Sequence, residues 1–454
     1  MRNTRKKGVQ RKGTRARKLK GGVTPEPPGP PVPPGPSGSS VPPGSSGPPV
    51  TPGSPGPSVV PTTDYVTCPL HNPNLLCYMN SSFQLLYSIP EIKTFFETIT
   101  DAGIDGFKVV DEGTANPLAP DIDRYKNILK AVKDVFNRMK RSIDSDKSLV
   151  TYDTDTKLMP SLYGIDEGFK KGRQQDAADM IQGILTVLEH FRGDTRIKTL
   201  LDAFTYNPNE MYTCKDITVQ VNPKEIHDTF VKLPINSLET KQHVNESDYD
   251  TIVKALSIGD KEEEYTAAFN ELKGKFDCEV LSIQYLIGKY QEHEKIDEQN
   301  NKYESCKSTA NPDGIATEKW ITLTIPDTLS YILLQLKRFN HTFDKKQSVI
   351  TKIKKPVEPS PEIEIDEKNF YLDGVIYHTG ETYKDGHYIY VKYKDGKPHT
   401  SVSDSLIQTI DNTDDKKKID ITTLENEIKE NGYIFLYKKE SIVPVPPVLP
   451  VPPQ

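Results

Sequence analysis

Residues 72–86, NPNLLCYMNSSFQLL, combine a cysteine with an apolar repeat that fixes the local structure around it. Met79, Phe83 and Leu86 recur at i, i+4 and i+7, a spacing that predicts one buried face of an α-helix. Pro90 lies just beyond the last of them and is expected to end that helix. The cysteine therefore falls in or next to the first turn of a helix.

Cys77 is a candidate nucleophile, with a buried structural thiol as the alternative. A thiolate attacks carbonyl carbon, and a helix N-terminus or a nearby imidazolium favours the thiolate over the thiol. Acyl transfer also needs a hydrogen-bond donor for the oxyanion, which Asn72 supplies if the intervening chain loops back toward the sulfur. The stretch thus indicates a cysteine hydrolase whose general base comes from elsewhere in the chain.

Nine histidines compete for the role of that base. His387 in DGHYIYV is the best placed, since Gly386 permits close backbone packing and the alternation that follows puts the imidazole at the mouth of a strand. His378 ends the preceding strand and is the rival. The base also needs an acceptor that fixes its tautomer, and SVSDS, across a predicted Asp-Gly hairpin, offers Asp404 and Ser403.

The two halves of the globular region differ in periodicity. A second helix is predicted to open near Gln174, with Asp176 and Asp179 together on a comparatively exposed face. Strand patterns then dominate: WITLTIP (320–326), YILLQLKRF (331–339), FYLDGVIYH (370–378), HYIYVKYKDGK (387–397) and GYIFLYKK (432–439). Helices followed by strands predict an α+β fold.

Composition separates this region from both ends of the chain. Residues 1–20 hold ten Lys or Arg and no acid, so the formal charge of −6 leaves −16 for the rest. Residues 21–64 are rich in Pro, Gly and Ser, and residues 441–454 in Pro; with few apolar side chains to bury, these ends are predicted to be disordered. The predicted organisation is a basic arm, a linker, a folded domain over 65–440 and a Pro-rich tail.

The five cysteines are odd in number and widely spaced, and no signal peptide is recognisable. No apolar run approaches the ~20 residues that span a bilayer, so a soluble protein of a reducing intracellular compartment, cytoplasm or nucleus, is predicted. The basic arm is a candidate contact for nucleic acid or an import receptor. The Pro-rich ends are candidates for a polyproline-binding domain, with solvated spacers as the alternative.

Five blocks, taken in order, resemble the signature of the ubiquitin-specific protease family. They are Asn72-x4-Cys77-Tyr78-Met79-Asn80-Ser81, Gln174-Gln175-Asp176-Ala177, Leu336-Lys337-Arg338-Phe339, Gly386-His387-Tyr388 and Gly432-Tyr433-Ile434-Phe435-Leu436-Tyr437. The resemblance implies a papain-like thumb and palm with a finger-like antiparallel β-sheet. It also implies a thiol-dependent deubiquitinase that hydrolyses peptide and isopeptide bonds at the C-terminal glycine of ubiquitin.

The same resemblance assigns catalytic roles by position. Cys77 becomes the nucleophile, His387 the general base and acid, and Asn72 the oxyanion donor. The third catalytic position falls on Ser403 or Asp404, of which Asp404 is favoured because a carboxylate stabilises the imidazolium by its charge.

Four further residues are implied to bind the substrate: Asp176, Asp179, Gly386 and Tyr388. The two carboxylates would face the arginines near the C-terminus of ubiquitin, although the family usually has Glu where Asp179 stands. The alternative is that they only complement the helix dipole in a first turn. Tyr388 would line a channel too narrow for residues bulkier than glycine.

Two departures from the family pattern are expected to matter. The loop before the cysteine reads Asn74-Leu75-Leu76 where the family usually has Gly-Asn-Thr or a close relative, so it has lost its glycine. Many relatives close the finger around zinc with two Cys-x-x-Cys pairs, whereas Cys214 and Cys306 each stand without a second cysteine. We therefore expect no metal, no cofactor and a finger held by packing.

Ubiquitin or ubiquitinated proteins are the implied partners. Two other functions fit the same residues. The altered loop and Ser403 suggest a ubiquitin-binding scaffold with little or no turnover. A protease for a ubiquitin-like modifier would differ only at the surface that meets the partner.

Overall fold

A computed structural model describes residues 67–73, 75–109, 122–145, 148–152, 158–166, 169, 171–214, 217–221, 229–235, 281–295, 302–303, 306–344, 347–412 and 414–440. All of them belong to one compact unit, Asp64–Gln454. The predicted basic arm, linker and Pro-rich tail lie outside the described residues, as does Cys278.

Helices come mostly from the first half of the described chain. Their bounds are α1 Cys77–Tyr87, α2 Pro90–Thr98, α3 Asp101–Asp105, α4 Ile122–Asp144, α5 Leu158–Tyr163, α6 Ala177–Glu189, α7 Thr195–Asp202, α8 Ile283–Tyr290 and α9 Ile421–Asn431. The predicted helix at the cysteine is confirmed, but Pro90 opens α2 at a position where a missing N–H costs nothing. None of these helices is both long and apolar enough to cross a membrane.

Strands come mostly from the second half. Their bounds are β1 Asn207–Cys214, β2 Ile217–Val221, β3 Phe230–Pro234, β4 Leu281–Ser282, β5 Glu294–Lys295, β6 Glu318–Thr324, β7 Tyr331–Lys337, β8 Phe339–Asp344, β9 Gln347–Lys352, β10 Val357–Glu358, β11 Glu362–Ile365, β12 Lys368–His378, β13 Tyr388–Lys394, β14 Lys397–Ser403, β15 Leu406–Thr409 and β16 Gly432–Lys439. The predicted strands and the Asp395-Gly396 hairpin are confirmed, and both turn residues have the positive φ, 50° and 73°, of a type I′ turn.

The largest sheet has the order β15-β14-β13-β12-β16-β7-β3, with β11 beside β12. Its neighbours pair antiparallel except β3 and β7, which are parallel. Helix α1 contacts β13 on one side and α6 on the other, and all 11 of its residues are buried. Such a helix lies inside the core rather than on its surface. The first residue of α1 therefore sits where the helices meet the sheet.

Arg338, in the third family block, ties the end of β7 to the helix that precedes β16. It is fully buried and donates hydrogen bonds to four backbone carbonyls: Gly432 at 2.5 Å, Lys355 at 2.9 Å, Lys429 at 3.0 Å and Ile353 at 3.1 Å. Burial lowers the pKa of Arg338 to about 9. Its cost of desolvation is offset by these bonds, which fix the start of β16.

The finger is the antiparallel sheet β2-β1-β6-β5. Cys214 ends β1 and forms a disulfide with Cys306, inside a small core that includes Tyr212 and Ala316. The prediction that packing alone holds the finger is therefore wrong. A zinc ion does not fit here, because the two sulfurs are bonded to each other. Among the described residues, no group of three or more His, Cys, Asp or Glu is placed to hold a metal.

Removing this disulfide is expected to destabilise the protein. The bond joins residues 92 positions apart, and such a cross-link restricts the unfolded chain by an amount typically about 2–4 kcal/mol of unfolding free energy. Urea unfolding should show this loss for the double variant Cys214→Ser/Cys306→Ser and for reduced wild type alike. The reductant should leave the double variant unchanged. Titration of five reactive thiols in the denatured, unreduced chain would contradict the bond.

Candidate active site

Cys77 opens α1 and is 2 % exposed. Its sulfur accepts a hydrogen bond from the backbone N–H of Tyr388, the residue that follows His387. Burial raises the pKa of the Cys77 thiol to about 11, with the Asp404 carboxylate adding to this rise and the N–H of Tyr388 opposing it. The N–H groups of the helix terminus act in the expected direction, but burial outweighs them. The thiol is therefore neutral at rest.

His387 lies just before β13 and is held from β14 and the turn after it. Its Nε2 is 2.9 Å from Ser403 Oγ and 3.6 Å from Asp404 Oδ2, and its side chain is 33 % exposed. Both contacts use Nε2, which leaves Nδ1 as the nitrogen that can exchange a proton with a substrate or a thiol. The structure thus brings both candidates for the third catalytic position to one imidazole nitrogen.

Asp404 lies where four chain segments meet. Its Oδ2 accepts from Asn72 Nδ2 at 2.8 Å, and its Oδ1 accepts from Asn80 Nδ2 at 2.6 Å. Its backbone carbonyl accepts from the N–H of Leu70 at 3.0 Å. The hydroxyl of Tyr152 donates in turn to Asn80 Oδ1. Asp404 also has a positive φ of 52°, which is uncommon for a residue other than glycine.

Asn72 uses both ends of its amide. Oδ1 accepts from the N–H of Leu76 at 2.7 Å, and this bond closes the loop that leads to the cysteine. One hydrogen of Nδ2 goes to Asp404, so the second is the one that can serve an oxyanion. Leu75 has a positive φ, 60°, and is 48 % exposed. This left-handed conformation costs a leucine about 1 kcal/mol, and Leu75 stands where the family usually has asparagine, which adopts it more readily.

The two carboxylates of the second block do not share an exposed face, so that prediction is wrong. Asp176 precedes α6 and caps it: Oδ1 accepts from Ala178 N–H at 2.7 Å and Oδ2 accepts from the Tyr433 hydroxyl at 2.5 Å. It is 9 % exposed, whereas Asp179 is exposed in the first turn. Burial raises the pKa of Asp176 to about 7, and the Asp179 charge adds to the rise.

Asp176→Asn is expected to flatten the pH dependence of stability. Because the folded pKa is about 7 against 3.8 for the free group, the folded state holds a proton that the unfolded state releases. The stability that this retained proton adds to the folded state is fully present below about pH 4 and is lost as pH rises through 7. Between pH 4 and 8, wild type should therefore lose about 2–4 kcal/mol relative to the variant. Urea unfolding of both proteins at pH 4 and at pH 8 measures this difference. An equal loss of unfolding free energy in wild type and variant would contradict the assignment.

Gly386 and Tyr388 flank His387 on either side. Gly386 has a φ of +85°, and a Cβ there would lie 2.3 Å from Gly380 Cα, so only glycine fits. Tyr388 is 1 % exposed. Its hydroxyl and the side-chain oxygen of Gln174 are buried and have no hydrogen-bond partner among the described residues.

Four residues that shape this site had no role predicted from the sequence: Asn80, Tyr152, Gln174 and Tyr433. A signal existed for Asn80, since it lies at i+3 from Cys77 and so near the same end of α1. Tyr152 gave none, because its contact with Asn80 joins residues 72 apart.

Comparison with known proteins agrees with this fold. A family model described as ubiquitin carboxyl-terminal hydrolase matches residues 68–437. Ubiquitin carboxyl-terminal hydrolase 25 of Arabidopsis thaliana is 23 % identical over 393 residues, which cover 82 % of this chain and 47 % of the relative. The chain thus spans about half the length of that relative.

Two solved structures share the fold. They are a SAGA DUB module bound to monoubiquitin and the SAGA Ubp8/Sgf11/Sus1/Sgf73 DUB module bound to ubiquitin aldehyde. Their TM-scores are 0.52 and 0.51 at 15 % and 14 % identity, over 83 % of this chain and 70 % of each matched chain. The predicted α+β architecture is confirmed. Because the family model spans most of the chain and contains all five ordered blocks, this protein belongs to the ubiquitin carboxyl-terminal hydrolase family.

Proposed function

We propose that this protein is a thiol-dependent deubiquitinase that hydrolyses peptide and isopeptide bonds at the C-terminal glycine of ubiquitin. The observation that carries the proposal is the convergence on Asp404 of Asn72, from the loop before Cys77, and His387, from the start of β13. Family membership and two solved structures of the same fold that hold ubiquitin or ubiquitin aldehyde support ubiquitin as the partner.

The first step is acyl transfer to Cys77. Its sulfur attacks the glycine carbonyl carbon while His387 Nδ1 takes the thiol proton, since the buried thiol is neutral at rest. The carbonyl oxygen becomes an oxyanion, which accepts from the free N–H of Asn72. The imidazolium then gives its proton to the leaving amine as the C–N bond breaks, and a thioester remains.

Water completes the cycle. His387 takes one proton from the water, whose oxygen attacks the thioester carbonyl, and the C–S bond breaks to release the C-terminal carboxylic acid of ubiquitin, which loses the second proton to solvent and becomes the carboxylate. The proton returns to the sulfur, so the enzyme ends as it began.

Ser403 and Asp404 divide the support of His387 between them. The serine hydroxyl is the closer acceptor, at 2.9 Å from Nε2, and fixes the tautomer that leaves the Nδ1 lone pair free. The carboxylate, at 3.6 Å, supplies the negative charge that stabilises the imidazolium. A serine in the nearer position therefore does not remove the charge from the site.

The substrate's extended tail would pass between α6 and the residues around His387. Asp179 is exposed there, and the nearby Asp166 carboxylate adds to the rise that desolvation causes in its pKa. Two carboxylates so placed attract an arginine. The buried, unpaired oxygen of Gln174 and hydroxyl of Tyr388 would accept from and donate to the tail's backbone.

Hydrolysis of a fluorogenic amide at the C-terminus of ubiquitin tests the proposal. We expect turnover, with kcat/KM at least about 10-fold higher than for the same amide on ubiquitin-like modifiers. A higher kcat/KM on one of those modifiers would reassign the substrate. Tight ubiquitin binding without turnover would favour the scaffold suggested by the altered loop.

A further inference from the structure

We propose that His378 is a positioning residue that shapes the loop carrying His387. This inference rests on the proposed function. The loop, residues 379–386, joins β12 to β13 and ends immediately before His387. Its two ends are pinned together where the N–H of Thr379 donates to the carbonyl of His387 at 3.0 Å.

The imidazole of His378 bonds to both ends of this loop. Its Nδ1 accepts from the N–H of Gly380 at 3.3 Å, and its Nε2 lies 2.7 Å from the carbonyl oxygen of Asp385. A carbonyl only accepts, so Nε2 carries the proton, and the Gly380 N–H requires a lone pair on Nδ1. Both bonds select the same neutral tautomer.

The loop closes tightly around that ring. A Cβ on Gly380 would lie 2.2 Å from the Asp385 oxygen and 2.7 Å from His378 Cε1. A Cβ on Gly386 would lie 2.3 Å from Gly380 Cα. The two glycines therefore let the backbone wrap the imidazole, and the position of His387 follows from that wrapping.

A second donor joins the loop to the helical layer. Gln174 Nε2, in the segment that leads into α6, lies 3.2 Å from His378 Nε2 and donates to the same Asp385 oxygen at 2.9 Å. The Asp385 carbonyl thus accepts one bond from the sheet side, through His378, and one from the helix side. The carbonyl fixes the loop against both layers that flank the site.

His378 is poorly suited to be the base that the sequence left as a rival to His387. It is 0 % exposed, and both ring nitrogens are engaged within its own loop. Burial and the nearby Lys352 ammonium lower the pKa of His378 to about 4, while the Asp385 carbonyl opposes this. A neutral His378 adds no charge beside His387, whose imidazolium forms during turnover.

Substitutions that restore one bond at a time test this role. The amide of His378→Gln can donate to the Asp385 carbonyl, and the oxygen of His378→Asn can accept from the Gly380 N–H, whereas His378→Ala restores neither. With the fluorogenic ubiquitin amide, kcat should fall about 100-fold for Ala and about 10-fold for Gln and Asn, with KM within about 3-fold of wild type. His190→Gln, an imidazole stacked on Tyr125 in the helical layer, is the matched control and should keep its kcat.

The pH dependence of Cys77 alkylation by iodoacetamide gives a readout that needs no ubiquitin. The His378→Ala variant should have a shifted alkylation profile, because a displaced His387 no longer accepts the proton of the Cys77 thiol. Folded His378→Ala with wild-type kcat and an unchanged alkylation profile would overturn the proposal. If His378→Ala does not fold, Gly380→Ala should reproduce the loss of kcat, and wild-type kcat there would overturn it instead. Absence of turnover by wild type would contradict the proposed function. The alkylation profile of the His378→Ala variant would then decide the role of His378.

Discussion

A Cys77→Ala variant is expected to bind ubiquitin and to hydrolyse its C-terminal amide about 10⁵-fold more slowly than wild type. Without the sulfur no thioester can form, and only binding and the oxyanion donor remain to assist attack by water. Binding should persist because the contacts proposed for the tail come from α6 and the residues around His387. Single-turnover hydrolysis and calorimetric titration with ubiquitin measure the two properties separately.

The matched control for this variant is Cys68→Ala, which changes the other free, buried thiol of the described residues. It should keep wild-type kcat, because burial raises the pKa of that thiol to about 12 and it lies outside the site. A Cys68→Ala protein that folds yet does not turn over would indicate that Cys68, and not Cys77 alone, is needed for catalysis. Turnover by Cys77→Ala near the wild-type rate would eliminate the thiol mechanism.

Asp404→Ala is expected to lower kcat/KM about 10³-fold, whereas Ser403→Ala should lower it only about 10-fold. Removing the carboxylate takes the negative charge from His387 and also releases Asn72 and Asn80, whose amides both donate to it. Two part-buried amides then lose their acceptor, which should cost about 1–3 kcal/mol of unfolding free energy. Ser403→Ala removes a single neutral acceptor.

Asp404→Asn separates charge from shape. It keeps one oxygen but turns the other into a donor that faces an Asn amide, so it too should lose about 10³-fold in kcat/KM. Steady-state kinetics on the ubiquitin amide, with urea unfolding of each variant, provide the comparison. The reverse order, with Ser403→Ala the more damaging change, would assign the third catalytic position to the serine.

Sequence predicts this fold best where the deciding interactions are local. The spacing of Met79, Phe83 and Leu86 places α1 correctly, since helix periodicity needs only a few neighbouring residues. The turn formed by Asp395 and Gly396 likewise follows from their own backbone preferences. These local rules put Cys77 at a helix start and His387 beside a strand.

Interactions between distant residues could not be predicted in this way. Its place on the predicted helix marks Asp176 as a surface residue. In the structure it is buried and accepts a hydrogen bond from Tyr433, 257 positions later in the chain. The hydrogen bond between Asn80 and Asp404 joins residues 324 positions apart, and no local sequence pattern predicts it. Neither spacing nor composition revealed that burial would dominate the thiol pKa, because desolvation depends on the complete tertiary structure.

Nucleophilic catalysis by Cys77 is tested most directly by covalent labelling with a ubiquitin that carries an electrophile in place of its C-terminal carboxylate. We expect one adduct, mapped by mass spectrometry to Cys77, and labelling at least about 10²-fold slower when His387 is replaced by alanine. Modification of a different cysteine, or equal labelling rates for wild type and His387→Ala, would contradict it.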